Sequence, residues 1–206
     1  MKRLISSAFL ALCLMAPAAV QAQPASQSTA ESKSLLQLLF PPSKNYNQYR
    51  RSDKSPIKRK VISFKENHAP GTIIIDTSDR RLYHVIKKGK AMVYGIGVGR
   101  EGFTWQGQKK ITRKAEWPGW TPPQVMRDRV KRQEGRVLPA YMPGGPENPL
   151  GARAMYIGST IYRIHGTNQP WTIGKAMSSG CIRMANEDVE HLYDQVKVGT
   201  RVIVRQ

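Results

Sequence analysis

Acidic residues are scarce in this chain: 14 Asp and Glu stand against 33 Lys and Arg, for a formal net charge of +19. Cysteine is scarcer still, with only Cys13 and Cys181 in 206 residues. That count excludes a disulfide-stapled framework and a zinc site built on several thiolates. The four histidines, His68, His84, His165 and His191, are scattered, and no His/Cys/Asp cluster stands at ligand spacing, so no metal is expected. No apolar run reaches the roughly 20 residues that cross a bilayer. No segment repeats, which excludes a solenoid.

What is present begins with Met1-Lys2-Arg3, an apolar run from Leu4 to Met15, and a small-residue end, Ala16-Pro17-Ala18-Ala19-Val20-Gln21-Ala22. A charged head, greasy middle and small-residue end make a secretory signal, with cleavage expected after Ala22 and residues 1–22 removed. Leu12 before Cys13 is a poor fit to a lipid-attachment site. The exported chain keeps one cysteine, Cys181, which is either a buried small apolar residue or a reactive thiol. Removing Lys2 and Arg3 leaves 31 basic against 14 acidic residues, a net of +17. Such a surface attracts polyanions, and in an exported protein these are anionic wall polymers, lipid head groups or carboxylate-bearing peptides.

From 23 to 70 the chain is rich in Ser, Gln, Lys and Pro and reads as a flexible basic arm. Lys44, Arg50, Arg51, Lys54, Lys58, Arg59 and Lys60 make it either a solvated tether or a segment that docks on the wall or a membrane face. Residues 71–206 form the expected catalytic unit. Thr72 to Asp76, Arg81 to Lys87 and Ala91 to Val98 read as antiparallel strands with tight turns, with Val61 to Phe64 as a possible earlier one. Gly99 to Leu150, dense in Gly, Pro and Trp, reads as a long ordered loop with at most a short helix over Gln124 to Val130. Ala154 to Ile157 and Ile161 to His165 read as two more strands. Asn186 is expected to cap a helix whose apolar stripe is Val189, Leu192, Tyr193 and Val196, followed by a strand from Arg201 to Arg205.

The informative segment runs from His165-Gly166-Thr167-Asn168 to Ser178-Ser179-Gly180-Cys181-Ile182-Arg183, with His165 16 residues before Cys181. An imidazole takes a thiol proton and later returns it to a leaving amine, so this pair is a minimal acyl-transfer engine. Gly180 lets a substrate approach and leaves N–H groups near Gly180 and Cys181 to hold an oxyanion. Arg183 is within reach of a substrate carboxylate.

This string resembles the active-site signature of the L,D-transpeptidase catalytic domain, the YkuD-like family: a histidine, an interval, then Ser-x-Gly-Cys-x-Arg. The histidine falls on His165, the serine on Ser178, the glycine on Gly180, the nucleophile on Cys181 and the arginine on Arg183. Tyr141 to Met155 and Asp76 to Leu82 also look like this family, and the resemblance covers about Pro70 to Val204. The often quoted form has histidine where this chain has Ser179, whose carbonyl would orient the imidazole. The resemblance implies a mainly β, sandwich-like fold with long Pro/Gly/Trp-rich loops and a short C-terminal helix. It implies attack on a peptidoglycan stem peptide between the third residue and D-alanine, through a Cys181 thioester, with no cofactor. The acyl group then passes to a second stem, to an amine of an envelope protein, or to water. His165, Cys181, Ser179 and Gly180 are the expected catalytic set; Arg183, Gly166, Ser178, Tyr141 and Trp171 are the expected substrate contacts, in the periplasm or cell envelope.

A papain-like protease places its cysteine before its histidine, the reverse of the order here. A non-catalytic peptidoglycan-binding scaffold has no need of a nucleophile in an oxidising space. Nucleic-acid binding rests on charge alone, without a recognised motif, and is not expected.

Overall fold

The computed structural model describes residues 54–101 and 105–206. The expected leader over 1–22, Cys13 and the arm over 23–53 lie outside the described residues. The strands are β1 (Lys60–Ser63), β2 (Ile73–Asp76), β3 (Arg81–Lys87), β4 (Lys90–Gly95), β5 (Val98–Gly99), β6 (Gly107–Glu116), β7 (Arg153–Ile157), β8 (Arg163–His165), β9 (Ala176–Ser178), β10 (Ile182–Arg183) and β11 (Arg201–Arg205). Two α-helices, α1 (Gln124–Glu134) and α2 (Asn186–Gln195), and a 3-10 turn over Pro170–Thr172 complete the described elements. The fold is mixed and dominated by β-structure, with a short helix near its C-terminal end, as expected.

Nine strands are hydrogen-bonded in the order β1-β4-β3-β2-β11-β6-β7-β8-β10, and β5 pairs with β9. The β2–β11 and β8–β10 pairs are parallel. Strand β6 joins two halves: Gly107–Lys110 pair with β11, and Ile111–Glu116 pair with β7. Ile73, Ile75, Leu82 and Tyr94 from the first half share one core with Met155 and Ile164 from the second. Ile74 points the other way, into a smaller cluster with Phe64, Val85 and Ala91, so β2 is apolar on both faces.

Three expectations are corrected here. Residues 99–150 are not one loop, since they hold the ten-residue strand β6. Its only buried residue is Ile111, so it carries no apolar alternation, and its position comes from the ladders on either side. Helix α1 also runs on to Glu134, closing on Gly135 at φ 65°, a left-handed conformation suited to glycine. Next, the stretch from Ser55 onward is packed rather than part of a flexible arm. Strand β1 pairs with β4, Phe64 stacks on Tyr83, and Arg59 forms a 2.9 Å ion pair with buried Asp188. Finally, Asn186 does not cap α2. Ala185 occupies that position without a side-chain cap, because the Asn186 amide oxygen is engaged elsewhere.

A bulge sets the faces of β6. The register with β7 shifts between Ile111 and Arg113, which turns Arg113 away from the core, opposite Tyr156. Lys114 then points toward α2, where its Nζ donates to the carbonyls of Tyr193 and Val196 at 2.6 Å each. A cation at a helix C-terminus satisfies carbonyls that have no helical partner.

Candidate active site

Strand parity explains how the sequence brings the chemistry together. In β8 and β10, Ile164 lies beside Ile182 and His165 beside Arg183. Both isoleucines are buried in the core, so Arg163 and His165 of β8 and Arg183 of β10 share the opposite face, and Cys181 is the residue immediately before β10. Two short parallel strands therefore bring the histidine and the cysteine together.

His165 is buried, and its Nδ1 lies 2.6 Å from the Gly166 carbonyl. A carbonyl only accepts, so Nδ1 carries the proton and Nε2 is the basic nitrogen. Burial, aided by the charge of Arg183, pushes the imidazole pKa down to about 3, although the Gly166 carbonyl pulls the other way. The ring is neutral at physiological pH.

A carbonyl that orients the imidazole is thus that of Gly166. Ser179 uses its hydroxyl, accepting a 2.9 Å hydrogen bond from Arg129 of α1. Gly166 is itself buried and held by donating to Arg153 O at 2.9 Å.

Ser178 is likewise turned inward. Its buried hydroxyl donates to Cys181 O at 2.6 Å and accepts from Gly180 N–H at 3.2 Å, stapling the loop that carries the thiol. In this structure the hydroxyl braces the loop. Because the Gly180 N–H is engaged, the Cys181 N–H is the donor left for an oxyanion in this loop. Gly180 sits at φ 104°, a conformation that side chains rarely adopt.

Cys181 is half-buried and free. Its Sγ is directed at the Ile161 carbonyl, 3.9 Å away, and makes no hydrogen bond to His165 in this state. Burial pushes the thiol pKa up, against the Arg163 backbone and the charges of Arg163 and Arg183. The pair rests as thiol and neutral imidazole, not as a preformed ion pair.

Arg183 is half-buried, and its backbone exchanges two 2.9 Å hydrogen bonds with Gly97. Of the two loop aromatics, Tyr141 is exposed against Gly119, and Trp171 is half-buried in the 3-10 turn between His165 and Cys181. His191 is bonded to the Tyr94 hydroxyl at 2.8 Å, and no described group of three or more His, Cys, Asp or Glu could hold a metal. A hollow of about 300 Å³ beside β5 and β9, lined by Thr77, Arg80 and Glu101 among others, includes neither His165 nor Cys181.

Two asparagines whose bracing roles the sequence did not show hold the surroundings. Buried Asn148 donates to the carbonyls of Pro118, Met142 and Pro143 and accepts from Leu150 N–H. Asn186 Oδ1 accepts from Ala152 N–H at 3.0 Å and Thr167 N–H at 3.2 Å, tying the approach to β7 to the loop after His165. Polar side chains amid Pro and Gly were the available signal, since a loop without ladder partners needs side chains for its backbone groups.

The family profile of the L,D-transpeptidase catalytic domain, YkuD, matches residues 70–204. The probable L,D-transpeptidase ErfK/SrfK of Escherichia coli is 43% identical over 136 residues, which are 63% of this chain and 42% of that protein. The putative L,D-transpeptidase YqjB of Bacillus subtilis is 36% identical over 147 residues, 68% of this chain and 74% of that protein. The chain thus spans less than half the length of ErfK/SrfK. A solved L,D-transpeptidase from Mycobacterium smegmatis shares the fold with a TM-score of 0.50 at 18% identity, over 66% of this chain and 58% of that one.

Proposed function

The chain belongs to the L,D-transpeptidase catalytic domain family, and we propose that it is an exported acyl-transfer enzyme acting on peptidoglycan stem peptides, with Cys181 as nucleophile and His165 as acid and base. The observation that supports this reading best is the parallel pairing of β8 with β10, which sets His165 beside Arg183, two residues after Cys181, with His165 Nδ1 fixed on Gly166 O so that Nε2 is the base.

Because the thiol and imidazole rest neutral, the thiol must turn from Ile161 O toward His165 as substrate binds, and proton removal accompanies attack. Sγ adds to the carbonyl of the third stem residue while its proton moves to Nε2, and the oxyanion rests on the Cys181 N–H. Collapse breaks the bond to D-alanine, whose amine leaves with the proton held by His165. The product is a Cys181 thioester. An acceptor amine, from a second stem or an envelope protein, then gives a proton to His165, attacks the thioester and restores the thiol. Water in its place gives trimming. Protons move only among these groups, so the sequence calls for no metal or cofactor. The two sheet halves meeting at β6 around a common core support the sandwich reading, and residues 1–22 support an envelope location.

The test is incubation of the wild type and Cys181→Ala with purified tetrapeptide muropeptides, read by mass spectrometry. The expected result is loss of D-alanine and a dimer joined between third residues, both absent in the mutant. D-alanine loss without dimers assigns trimming or a protein acceptor. No turnover under any condition overturns the enzymatic reading in favour of a wall-binding scaffold.

A further inference from the structure

The face that carries His165 continues across β7 and β6. In-register pairing puts Arg163 beside Tyr156 and Tyr156 beside Arg113, forming a row that leads away from the cysteine. The Arg113 guanidinium lies 3.6 Å from the centroid of the Tyr156 ring, and that of Arg163 lies 5.2 Å from it. Two cations thus converge on one half-buried ring. Neither forms an ion pair among the described residues, and Arg163 Nε is buried without a hydrogen-bond partner. Like charges held this close repel each other, and a buried guanidinium nitrogen without an acceptor is costly. The bulge in β6 is what adds Arg113 to this face, since an unbroken register would have turned it with Ile111 toward the core.

We propose that Arg113, Tyr156 and Arg163 form a subsite that binds a side-chain or backbone carboxylate of the peptide substrate. Strands are about 4.8 Å apart, so the row lies roughly 5–15 Å from the nucleophile. An extended peptide covers about 3.3 Å per residue, which places the recognised carboxylate a few residues or one long side chain from the reacting carbonyl. Guanidinium groups suit a carboxylate because they offer paired donors in one plane, and the ring supplies an apolar floor. The location of the reacting carbonyl rests on the proposed function.

The test uses the full chain carrying Cys181→Ala and two synthetic donor peptides that differ only in a carboxylate or a carboxamide at the end of the long side chain of the residue that supplies the reacting carbonyl. Binding is measured by calorimetry at physiological salt. The carboxylate peptide is expected to bind about 10-fold more tightly, and Arg163→Gln and Arg113→Gln each to reduce that preference to about 3-fold or less. Arg113 is exposed, so its variant keeps the test valid if Arg163→Gln fails to fold. Lys88→Gln, in the exposed turn between β3 and β4, is expected to leave the preference unchanged.

Equal binding of the two peptides, or an unchanged preference in both arginine variants, overturns the proposal. So does an equal loss of preference in Lys88→Gln, which assigns the effect to overall charge. Tight, arginine-dependent carboxylate binding without thioester formation by the unmutated chain would sink the enzymatic reading and leave the subsite. Turnover indifferent to the carboxylate would do the reverse.

Discussion

Replacing Asn186 by alanine tests how the histidine is held. Its amide oxygen is the acceptor for the N–H groups of Ala152 and Thr167, and the chain closes around it. A Cβ on Gly151 or Gly166 would lie 2.3 Å from Oδ1. Asn186→Ala strands both donors, and a part-buried donor without a partner costs about 1–3 kcal/mol. Water entering the vacated space recovers some of this, leaving a loss of roughly 2–4 kcal/mol. At 2–4 °C per kcal/mol for a domain of this size, the melting temperature should fall by about 4–16 °C in calorimetry. Because the Gly166 carbonyl orients His165, kcat should fall more than KM rises. Asn186→Asp keeps the acceptor and should recover most of the stability. Its added negative charge favours the imidazolium, so the acid limb of the pH–rate profile should move to higher pH. A melting temperature for Asn186→Ala within about 1 °C of wild type would refute the brace. An aspartate variant as unstable as alanine would show that the side chain acts by shape alone.

Burial holds the Cys181 thiol above its ordinary pKa, so alkylation by iodoacetamide should be slow at pH 7 and keep rising beyond about pH 8.5; a plateau below neutrality would reveal a resting thiolate. Ser178→Ala removes the staple between Gly180 N–H and Cys181 O, and should cost about 1–2 kcal/mol in denaturant unfolding and lower kcat. Arg59→Met removes the partner of buried Asp188, whose carboxyl burial already pushes upward. A raised folded-state pKa means the carboxylate is tolerated least at high pH, so the loss, about 1–3 kcal/mol, should be greatest above that pKa and shrink as pH falls through it. A pH-independent loss in urea titrations would refute this assignment.

Legibility followed the source of each constraint. Strands β3 and β11 could be read to the residue because each is bounded by turns, and β11 alternates without a break. The separation of His165 from Cys181 was legible, but their approach depends on the parallel pairing of β8 with β10, a long-range contact with no local signature. Strand β6 was hidden because Ile111 and Ala115, its two apolar residues in ten, give no period, and its place is fixed by neighbours distant in sequence. The serines were legible as part of a motif, whereas their directions were not: Ser178 turns to its own loop, and Ser179 turns to α1, whose approach the sequence does not announce.

The bulge at Thr112 shows the general reason. Period-two reading assigns Ile111 and Arg113 to the same face, and one inserted residue sends Ile111 to the core while Arg113 joins Tyr156 on the face shared with His165. Lys114 is redirected by the same step to the end of α2, so one irregularity serves both helix stability and the charge beside Tyr156. Deleting Thr112 removes the extra residue, so Arg113 follows Ile111 directly and stays opposite Tyr156 while Lys114 stays opposite Met155. The deletion should therefore cost less in urea unfolding than removing the Lys114 ammonium, which strands the α2 carbonyls, and a larger loss would show that Thr112 itself holds the strand.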